Sequence, residues 1–298
     1  MTFVSRNLKY VAVLMVTLAL GISAAQSFAQ ERINLDKSLI KDKSRGFCSN
    51  NNWSSDDRVS YADLREFTVP SSGSLNVDAD RNGGISVKGE NRSDVLVRAC
   101  VQAWGATEDA AKFAASSIRI ATGSSIKAEN QGDDRNWSVS YQILVPRSTN
   151  LNLKAHNGGI SIAGVDGTSE FETQNGGINL SDVSGSVKGR TTNGGVNVAL
   201  SGTTWRGSGL ELTTTNGGVN ITMPESYAAT VETGTVNGGF KSDIPSLNVT
   251  TEDIKGNEWS HRSRSKRITT ALNGGGPPIK IITTNGGVKI NSAEKSSY

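Results

Sequence analysis

The chain has 298 residues, with 31 lysines and arginines against 28 aspartates and glutamates, and only 6% of its residues are aromatic. Without the first 29 residues, which contain two basic and no acidic side chains, the balance is 29 basic (31 − 2) against 28 acidic. This near-neutral charge argues against a general nucleic-acid binder, which needs a surplus of Lys and Arg. The 33 glycines and the scarcity of helix formers indicate a β-rich chain with many turns.

Residues 1–29 have the pattern of a signal peptide. Arg6 and Lys9 precede an apolar stretch over residues 11–25, and Ser27-Phe28-Ala29 fits a small-x-small cleavage site. The apolar stretch is shorter than the roughly 18 residues that a membrane-spanning helix needs, and no cysteine follows it that a lipid could modify. We expect cleavage after Ala29 and export to the periplasm, the outer surface or the medium, with no transmembrane segment left in the mature chain.

The next segment, residues 30–60, is polar and irregular, which predicts a loosely ordered lead-in. It contains Cys48, and the second cysteine of the chain is Cys100. An even pair in an oxidising compartment predicts a disulfide between them. The chain-entropy model gives such a loop about 4 kcal/mol of stabilisation. The alternative, a reactive thiol pair, lacks a CxxC spacing.

Residues 61–150 predict strands and one helix, which would cap the stack or form its first coils. Short alternating patterns run through residues 61–98. A helix is predicted from Thr107, a suitable N-cap, to about Ser117, with an apolar face of Ala110, Phe113, Ala114 and Ser117. The segment from Trp137 to Val145 alternates well and ends at Pro146.

The tripeptide Asn-Gly-Gly recurs in front of Ile, Val or Phe, at Asn82, Asn157, Asn175, Asn193, Asn216, Asn237 and Asn285. From Asn157 the first five copies lie 18, 18, 23 and 21 residues apart. A period of about 20 residues is the mark of stacked, nearly identical units. The copy at Asn273 leads into Pro277-Pro278, so we expect a loop there.

Each copy carries the same alternation, counted from its Asn as zero. Positions +3 and +5 are apolar, as in Ile160 and Ile162, and position +4 is polar, so +3 and +5 are predicted to face inward. Before the turn, position −4 is apolar in four copies, and position −2 on the same face is usually Thr. Equivalent side chains therefore stack on one another, as in a β-solenoid. The copy at Asn82 has its apolar residues at odd offsets, which predicts a bulge or a different corner.

The corner itself is explained by its residues, because Asn tolerates left-handed backbone angles and Gly adopts them freely. Asn-Gly is also the strongest hairpin signal, so antiparallel hairpins are the rival interpretation. The second bend within each period, such as Asp166-Gly167 or Ser184-Gly185, favours the solenoid. The predicted structural turns are Asn157, Gly158, Gly159, Asn175, Gly176, Gly177, Asn193, Gly194, Gly195, Asn216, Gly217, Gly218, Asn237, Gly238, Gly239, Asn285, Gly286 and Gly287.

Several stretches resemble the bacterial putative-adhesin family, an adhesin-like domain of unknown function related to head-GIN domains. The matching stretches are Trp137-Ser138-Val139-Ser140-Tyr141, Val145-Pro146-Arg147, residues 156–162 and residues 191–196. The resemblance covers roughly residues 69–290. It implies an exported all-β protein, a right-handed parallel β-solenoid over residues 151–292 with a tail at 293–298, and it implies no established activity.

Carboxylates are the candidate catalytic groups, since β-helical polysaccharide lyases and hydrolases need a carboxylate cluster with Arg or Lys on one face. The candidates are Asp166, Glu170, Glu172, Asp182 and Arg190. Only Glu172 and Arg190 share an offset, +15, which predicts a surface ion pair. We therefore predict no catalytic residues.

Histidines, basic residues and threonines give no stronger site. Neither His156, at an outward position, nor His261 has metal-ligand spacing to other residues, so no metal and no cofactor is predicted. The basic run over residues 261–267 could contact an anionic glycan, a lipid headgroup or nucleic acid, but a solvated loop or an edge strand is the simpler interpretation. The Thr column points inward, which argues against ice binding.

The sequence predicts an exported, non-enzymatic β-solenoid of the cell envelope that acts as an adhesin or a structural or binding module. The expected partner is a glycan or another envelope protein, and not nucleic acid. A polysaccharide-active enzyme and a periplasmic accessory or regulatory protein stay as alternatives.

Overall fold

The computed structural model describes residues 46–49, 58–122, 125–130, 136–245, 247 and 266–293. By its internal contacts the chain divides into two units, residues 1–49 and 50–298, and in the first unit the described residues 46–49 form a turn. The predicted signal peptide lies outside the described residues. So does most of the lead-in over residues 30–60, of the basic run over residues 261–267 and of the tail over residues 293–298.

The second unit is mostly β, with twenty strands and a single helix among the described residues. The helix, α1, runs from Glu108 to Ser116. The strands are β1 (Val59–Pro70), β2 (Ser74–Asp78), β3 (Ile85–Glu90), β4 (Asp94–Gly105), β5 (Ile118–Thr122), β6 (Ile126–Asn130), β7 (Trp137–Pro146), β8 (Asn150–Ala155), β9 (Ile160–Ala163), β10 (Asp166–Asn175), β11 (Ile178–Ser181), β12 (Ser184–Asn193), β13 (Val196–Ala199), β14 (Gly209–Asn216), β15 (Val219–Met223), β16 (Ala229–Asn237), β17 (Phe240–Ser242), β18 (Lys266–Leu272), β19 (Pro278–Asn285) and β20 (Val288–Ser292).

Helix α1 begins where the sequence predicts but buries a different face. The Thr107 hydroxyl accepts a hydrogen bond from the Ala110 amide at 3.2 Å, as expected of an N-cap. Ala111 and Ala115 are the buried residues of the helix, whereas Phe113 is 75% exposed. The predicted face with Phe113 is therefore wrong. A Cβ atom on Gly105 would lie 2.6 Å from the Ala111 amide nitrogen, so helix and strand approach too closely for a large side chain.

The strands form two ten-stranded sheets. Sheet A has the order β1-β4-β7-β3-β9-β11-β13-β15-β20-β17, and sheet B has the order β18-β16-β19-β14-β12-β10-β8-β2-β6-β5. One strand of each Asn-Gly-Gly unit lies in sheet B before the corner, and the next lies in sheet A after it. We call such a strand pair a coil and name it by its Asn. A continuous cluster of buried apolar side chains, most of them aliphatic, fills the space enclosed by the coils.

Neighbouring repeat strands pair in parallel and in register, so that equivalent residues face each other. Ile178 is paired with Ile160 on one side and with Val196 on the other. Positions +3 and +5 are buried in every coil from Asn157 to Asn216, and position +4 is outward, as the alternation predicts. The hairpin interpretation is wrong for these units, because antiparallel pairing does not occur between them.

The stack does not follow chain order. Strand β19 pairs with β14 on one side and β16 on the other, and β20 likewise lies between β15 and β17. The Asn285 coil, the last to be made, is therefore inserted between the Asn216 and Asn237 coils.

Antiparallel strands close three of the four sheet ends. They are β1 in sheet A and β5 and β18 in sheet B. The fourth end is β17, which is three residues long. Short or covered end strands limit edge-to-edge association.

Candidate binding surface

Six of the seven Asn residues of the repeat, all except Asn82, donate a hydrogen bond from Nδ2 to Oδ1 of the Asn in the neighbouring coil. The six bonds run Asn237 to Asn285 (2.7 Å), Asn285 to Asn216 (2.8 Å), Asn216 to Asn193 (2.8 Å), Asn193 to Asn175 (2.7 Å), Asn175 to Asn157 (2.8 Å) and Asn157 to Asn82 (3.0 Å). All six run in the same direction. The ladder therefore ends in a donor at Asn82 and an acceptor at Asn237.

The first glycine of each corner is required by space, which differs from the sequence interpretation. Gly158, Gly176, Gly194 and Gly217 do not have the positive φ expected from left-handed backbone. A Cβ atom on Gly194 would instead collide with the carbonyl group of Gly176 in the neighbouring coil, and Gly217 meets Gly194 in the same way. The coils approach so closely at this column that only glycine fits.

The threonines at position −2 form hydrogen bonds to the same corner from the core side. The hydroxyl groups of Thr173, Thr191 and Thr214 donate to the carbonyl groups of Gly158, Gly176 and Gly194 at 2.7–2.8 Å. All three threonines are 4% exposed. The Thr column therefore lies inward, as predicted, and cannot present hydroxyl groups to ice.

The outer face of sheet B carries rows of alternating charge. One row crosses five strands in the order Lys127, Asp78, Lys154, Glu172, Arg190. Ion pairs link Lys127 to Asp78 and Lys154 to Glu172, each at 3.6 Å, and Arg190 Nε donates to Glu172 at 2.9 Å. Because like charges on directly opposite residues destabilise a sheet, this alternation stabilises the observed register.

A second row lies two residues further from the corner along each strand, and its charges alternate in the same way. It runs Glu170, Lys188, Glu211, Lys280, Glu232 across successive strands. Lys280 and Glu211 are 3.7 Å apart. A face of alternating charge presents no field of a single sign to a charged ligand.

Three of the five candidate catalytic groups, Glu170, Glu172 and Arg190, line one groove of about 430 Å³ on the outer face of sheet B. Glu172 and Arg190 meet as the ion pair predicted from their common offset. The Arg190 hydrogen bond, together with the charges of Arg190 and Lys154, lowers the pKa of Glu172. A glycosidase acid needs a raised pKa, so Glu172 is unsuited to that role.

Asp166 and Asp182 do not line this groove. Asp182 accepts a hydrogen bond from Ser201 Oγ at 3.0 Å and lies 3.8 Å from Arg147, at the second bend of its coil. Asp166 and Glu170 are exposed on β10, and His156 is exposed beside the corner. His261 lies outside the described residues. In the described part of the chain, no group of three or more His, Cys, Asp or Glu side chains is placed to hold a metal ion.

The outer face of sheet A has a central region without charge, whereas the flanking strands carry Arg98 on one side and Lys289 and Lys241 on the other. Its central row has amide and hydroxyl side chains on six neighbouring strands, namely Gln142, Ser86, Ser161, Asn179, Asn197 and Asn220. Asn197 Nδ2 donates to Asn179 Oδ1 at 2.9 Å. A second row runs from Lys88 through the small side chains of Ala163, Ser181, Ala199 and Thr222. The two rows line a shallow groove of about 300 Å³.

The alternation in the sequence predicts that these residues are exposed, but it does not by itself distinguish this face from the outer face of sheet B. The distinguishing signal was present, because the +4 residues Ser161, Asn179 and Asn197 are uncharged. The −3 residues of the same coils, Lys154, Glu172 and Arg190, are all charged.

The two cysteines, Cys48 and Cys100, are both disulfide-bonded in the structure. Cys100 is buried on β4, with 3% of its surface exposed. Across the described residues, no helix has both the length and the apolar character needed to span a membrane.

A family model described as Toastrack DUF4097 matches residues 66–291 of the chain. No curated protein matches the chain.

Three solved structures are similar to the chain at low sequence identity. A "putative cell adhesion protein" from Clostridium sporogenes is 11% identical, with 78% of this chain and 100% of that chain covered and a TM-score of 0.38. A "putative adhesin" from Bacteroides fragilis is 12% identical over 78% of this chain and 97% of that chain, with a TM-score of 0.32. A "putative lipid binding protein" from Parabacteroides distasonis is 11% identical over 77% and 96%, with a TM-score of 0.32. At these values the likeness carries no argument about function.

Proposed function

We propose that this chain, which belongs to the Toastrack DUF4097 family, is an exported, non-enzymatic binding module of the cell envelope that holds glycans on the outer face of sheet A. Export rests on the signal-peptide pattern of residues 1–29. The coils form a right-handed parallel β-solenoid in this proposal, since parallel crossovers within one sheet are right-handed in about 98% of cases.

The uncharged row on sheet A is the observation that carries the proposal. Amide and hydroxyl groups both donate and accept hydrogen bonds, so they match the hydroxyl groups of a neutral glycan. Neighbouring strands place equivalent groups about 4.8 Å apart. A polymer lying along the stack would therefore meet the same contact repeatedly, and weak contacts would add through multivalency.

The outer face of sheet B is less suited than that of sheet A to binding a neutral glycan, and its charge arrangement does not favour catalysis. On sheet B the charges of the first row lie beside opposite charges, and the carboxylate of Glu172 is held ionised by Arg190. Neither arrangement leaves a carboxylic acid to protonate a leaving group. The proposal is accordingly a binding function without turnover.

A glycan array probed with residues 30–298 tests the proposal. We expect retention of neutral polysaccharides and a several-fold weaker signal for Ala199→Lys, which places a long charged side chain on the sheet A face. Thr168→Lys is the matched control, because Thr168 is exposed on sheet B opposite the uncharged Ser186.

Two results would contradict the proposal. One is the absence of binding, or an equal loss in both lysine variants. The other is release of reducing ends from a polysaccharide that Glu172→Gln or Arg190→Ala abolishes, which would establish an enzyme instead.

A further inference from the structure

The corner at Asn82 departs from the repeat by one residue. Asp78 is paired with Lys154 and Asn82 with Asn157, so four steps (82 − 78) oppose three (157 − 154). The extra residue is absorbed near Asp80, which has a φ of 51° and whose amide donates to Asp78 Oδ1 at 2.8 Å. This is the bulge that the odd offsets predict. As a result the side chains of Asp80 and Arg81 are exposed beside the corner.

Trp137 lies next to this bulge. It begins β7, which is the neighbour of β3 in sheet A, and its half-buried side chain packs against the core. Together with Asp80, Arg81 and Asn82 it lines a groove of about 230 Å³. The corner groove is thus built from an aromatic ring, a carboxylate, a guanidinium and an amide.

Asn82 brings an unused donor to the corner groove. It is the last Asn of the ladder, and its Oδ1 accepts from Asn157. Its Nδ2 group finds no acceptor within the described residues, whereas Nδ2 of every other ladder Asn donates to its neighbour. Hydrogen bonds that run in one direction polarise one another, so this terminal N–H group is a strengthened donor.

The corner groove also contains two charged side chains, those of Asp80 and Arg81. Asp80 and Arg81 form no ion pair within the described residues, in contrast to the neighbouring row from Lys127 to Arg190. One carboxylate and one guanidinium leave the groove with no net charge. A ligand that satisfies both must accept and donate hydrogen bonds without bringing charge of its own.

We propose that the corner groove of Asp80, Arg81, Asn82 and Trp137 binds one neutral sugar ring, which anchors the glycan held by the protein. Asp80 accepts hydrogen bonds from two adjacent hydroxyl groups of the sugar, and Arg81 and Asn82 donate to its oxygens. The apolar C–H face of the ring lies against Trp137. An apolar platform with a few convergent polar groups is the usual composition of a small-molecule site. This inference rests on the proposed glycan-binding function and names its primary site.

The test uses residues 30–298 and the polysaccharide that the array retains. Methyl glycosides of glucose, galactose, mannose and N-acetylglucosamine serve as competitors. Asp80→Asn keeps a residue that tolerates left-handed angles, and Arg81→Ala truncates an exposed side chain. We expect each to weaken binding about tenfold, the effect of losing one charge-assisted hydrogen bond. Both variants should keep the wild-type melting temperature.

A second readout reports contact with the ring. Saturation-transfer NMR should carry magnetisation from indole protons to the sugar C–H groups in the wild-type protein. We expect Trp137→Leu to abolish this transfer.

The outcomes separate the two proposals. Binding that weakens in Asp80→Asn and Arg81→Ala supports the corner groove. Wild-type binding that these two variants leave unchanged, while Ala199→Lys weakens it, overturns the corner groove and leaves the proposed function standing. A wild-type protein that binds no glycan overturns both.

Discussion

Asn285 Nδ2 donates to Asn216 Oδ1 at 2.8 Å, although 69 residues separate the two in the chain. On its other side Asn285 accepts from Asn237, which precedes it by 48 residues. The coil made last therefore lies inside the stack, with the coil of Asn237 outside it. The C-terminal strands β19 and β20 lie between strands that precede them in the chain. The two sheets are therefore continuous only when the last coil is in place.

Engineered disulfides test this order of coils. Residues 215, 236 and 284 share the exposed position before the Asn in three coils. We expect Thr215→Cys with Thr284→Cys to cross-link under mild oxidation, because strands about 4.8 Å apart suit a disulfide. Thr215→Cys with Val236→Cys should not, since an intervening strand separates the residues by about 10 Å. Mass spectrometry of the unreduced protein distinguishes the two. Cross-linking of only the second pair would mean that the coils stack in chain order.

Substitution by alanine should have very different effects on stability at the two glycines of the Asn193 corner. Gly194→Ala should lower the free energy of unfolding by about 1–3 kcal/mol, the cost of overpacking, because its Cβ atom would meet the carbonyl of Gly176. Gly195→Ala should cost less than about 0.5 kcal/mol, typical of a surface change, since its Cβ atom would lie 3.5 Å from the Gly218 oxygen. Urea denaturation compares them. Equal losses would refute the close approach at the first glycine.

Phe171 and Gly189 should be energetically coupled. They are paired on adjacent strands, and the ring of Phe171 occupies the space that a Cβ atom on residue 189 would need. Gly189→Ala should cost about 1–3 kcal/mol by overpacking. In a Phe171→Leu background the same change should cost about 1 kcal/mol less, within the range found for contacting residues. A double-mutant cycle measures this, and strict additivity would argue against the contact.

The Glu172–Arg190 pair should give a small, pH-dependent contribution to stability. Because the folded-state pKa of Glu172 is lowered, the contribution is present above the unfolded-state pKa of about 4.3. It is lost as the pH falls through the lower folded-state pKa. Glu172→Gln should therefore cost under about 1 kcal/mol at neutral pH and nothing in acid. High salt should shrink the difference. A loss that persists unchanged in acid would show that the pair is not its source.

Cys48 and Cys100 should be bonded to each other in exported protein. Both are disulfide-bonded in the structure and they are the two cysteines of the chain. We expect no alkylation without a reductant, and a loss of about 2–4 kcal/mol in the free energy of unfolding after reduction. Mass spectrometry after alkylation checks the first expectation. Two modified thiols in the unreduced protein would rule out the bond.

Much of the solenoid could be predicted because its signals are local. Alternation around Asn175 placed Ile178 and Leu180 inside and Asn179 outside, since successive residues of a strand face opposite sides. The sequence likewise predicts the start of helix α1 from its N-cap residue, Thr107. It does not predict the buried face of the helix, because a nine-residue helix with several alanines offers more than one small apolar face, and close packing on Gly105 selects among them.

By itself the sequence determined the coil: which residues turn, which point inward, and that Glu172 and Arg190 lie at equivalent positions of adjacent coils. The tertiary structure alone decided where the last coil lies, because every coil offers a similar backbone edge and the Asn285 unit could pair with any of them. It also decided the corner groove, since Asp80 and Trp137 are 57 positions apart (137 − 80) and share no motif. They lie together because β7 pairs beside β3, a long-range contact that no local pattern records.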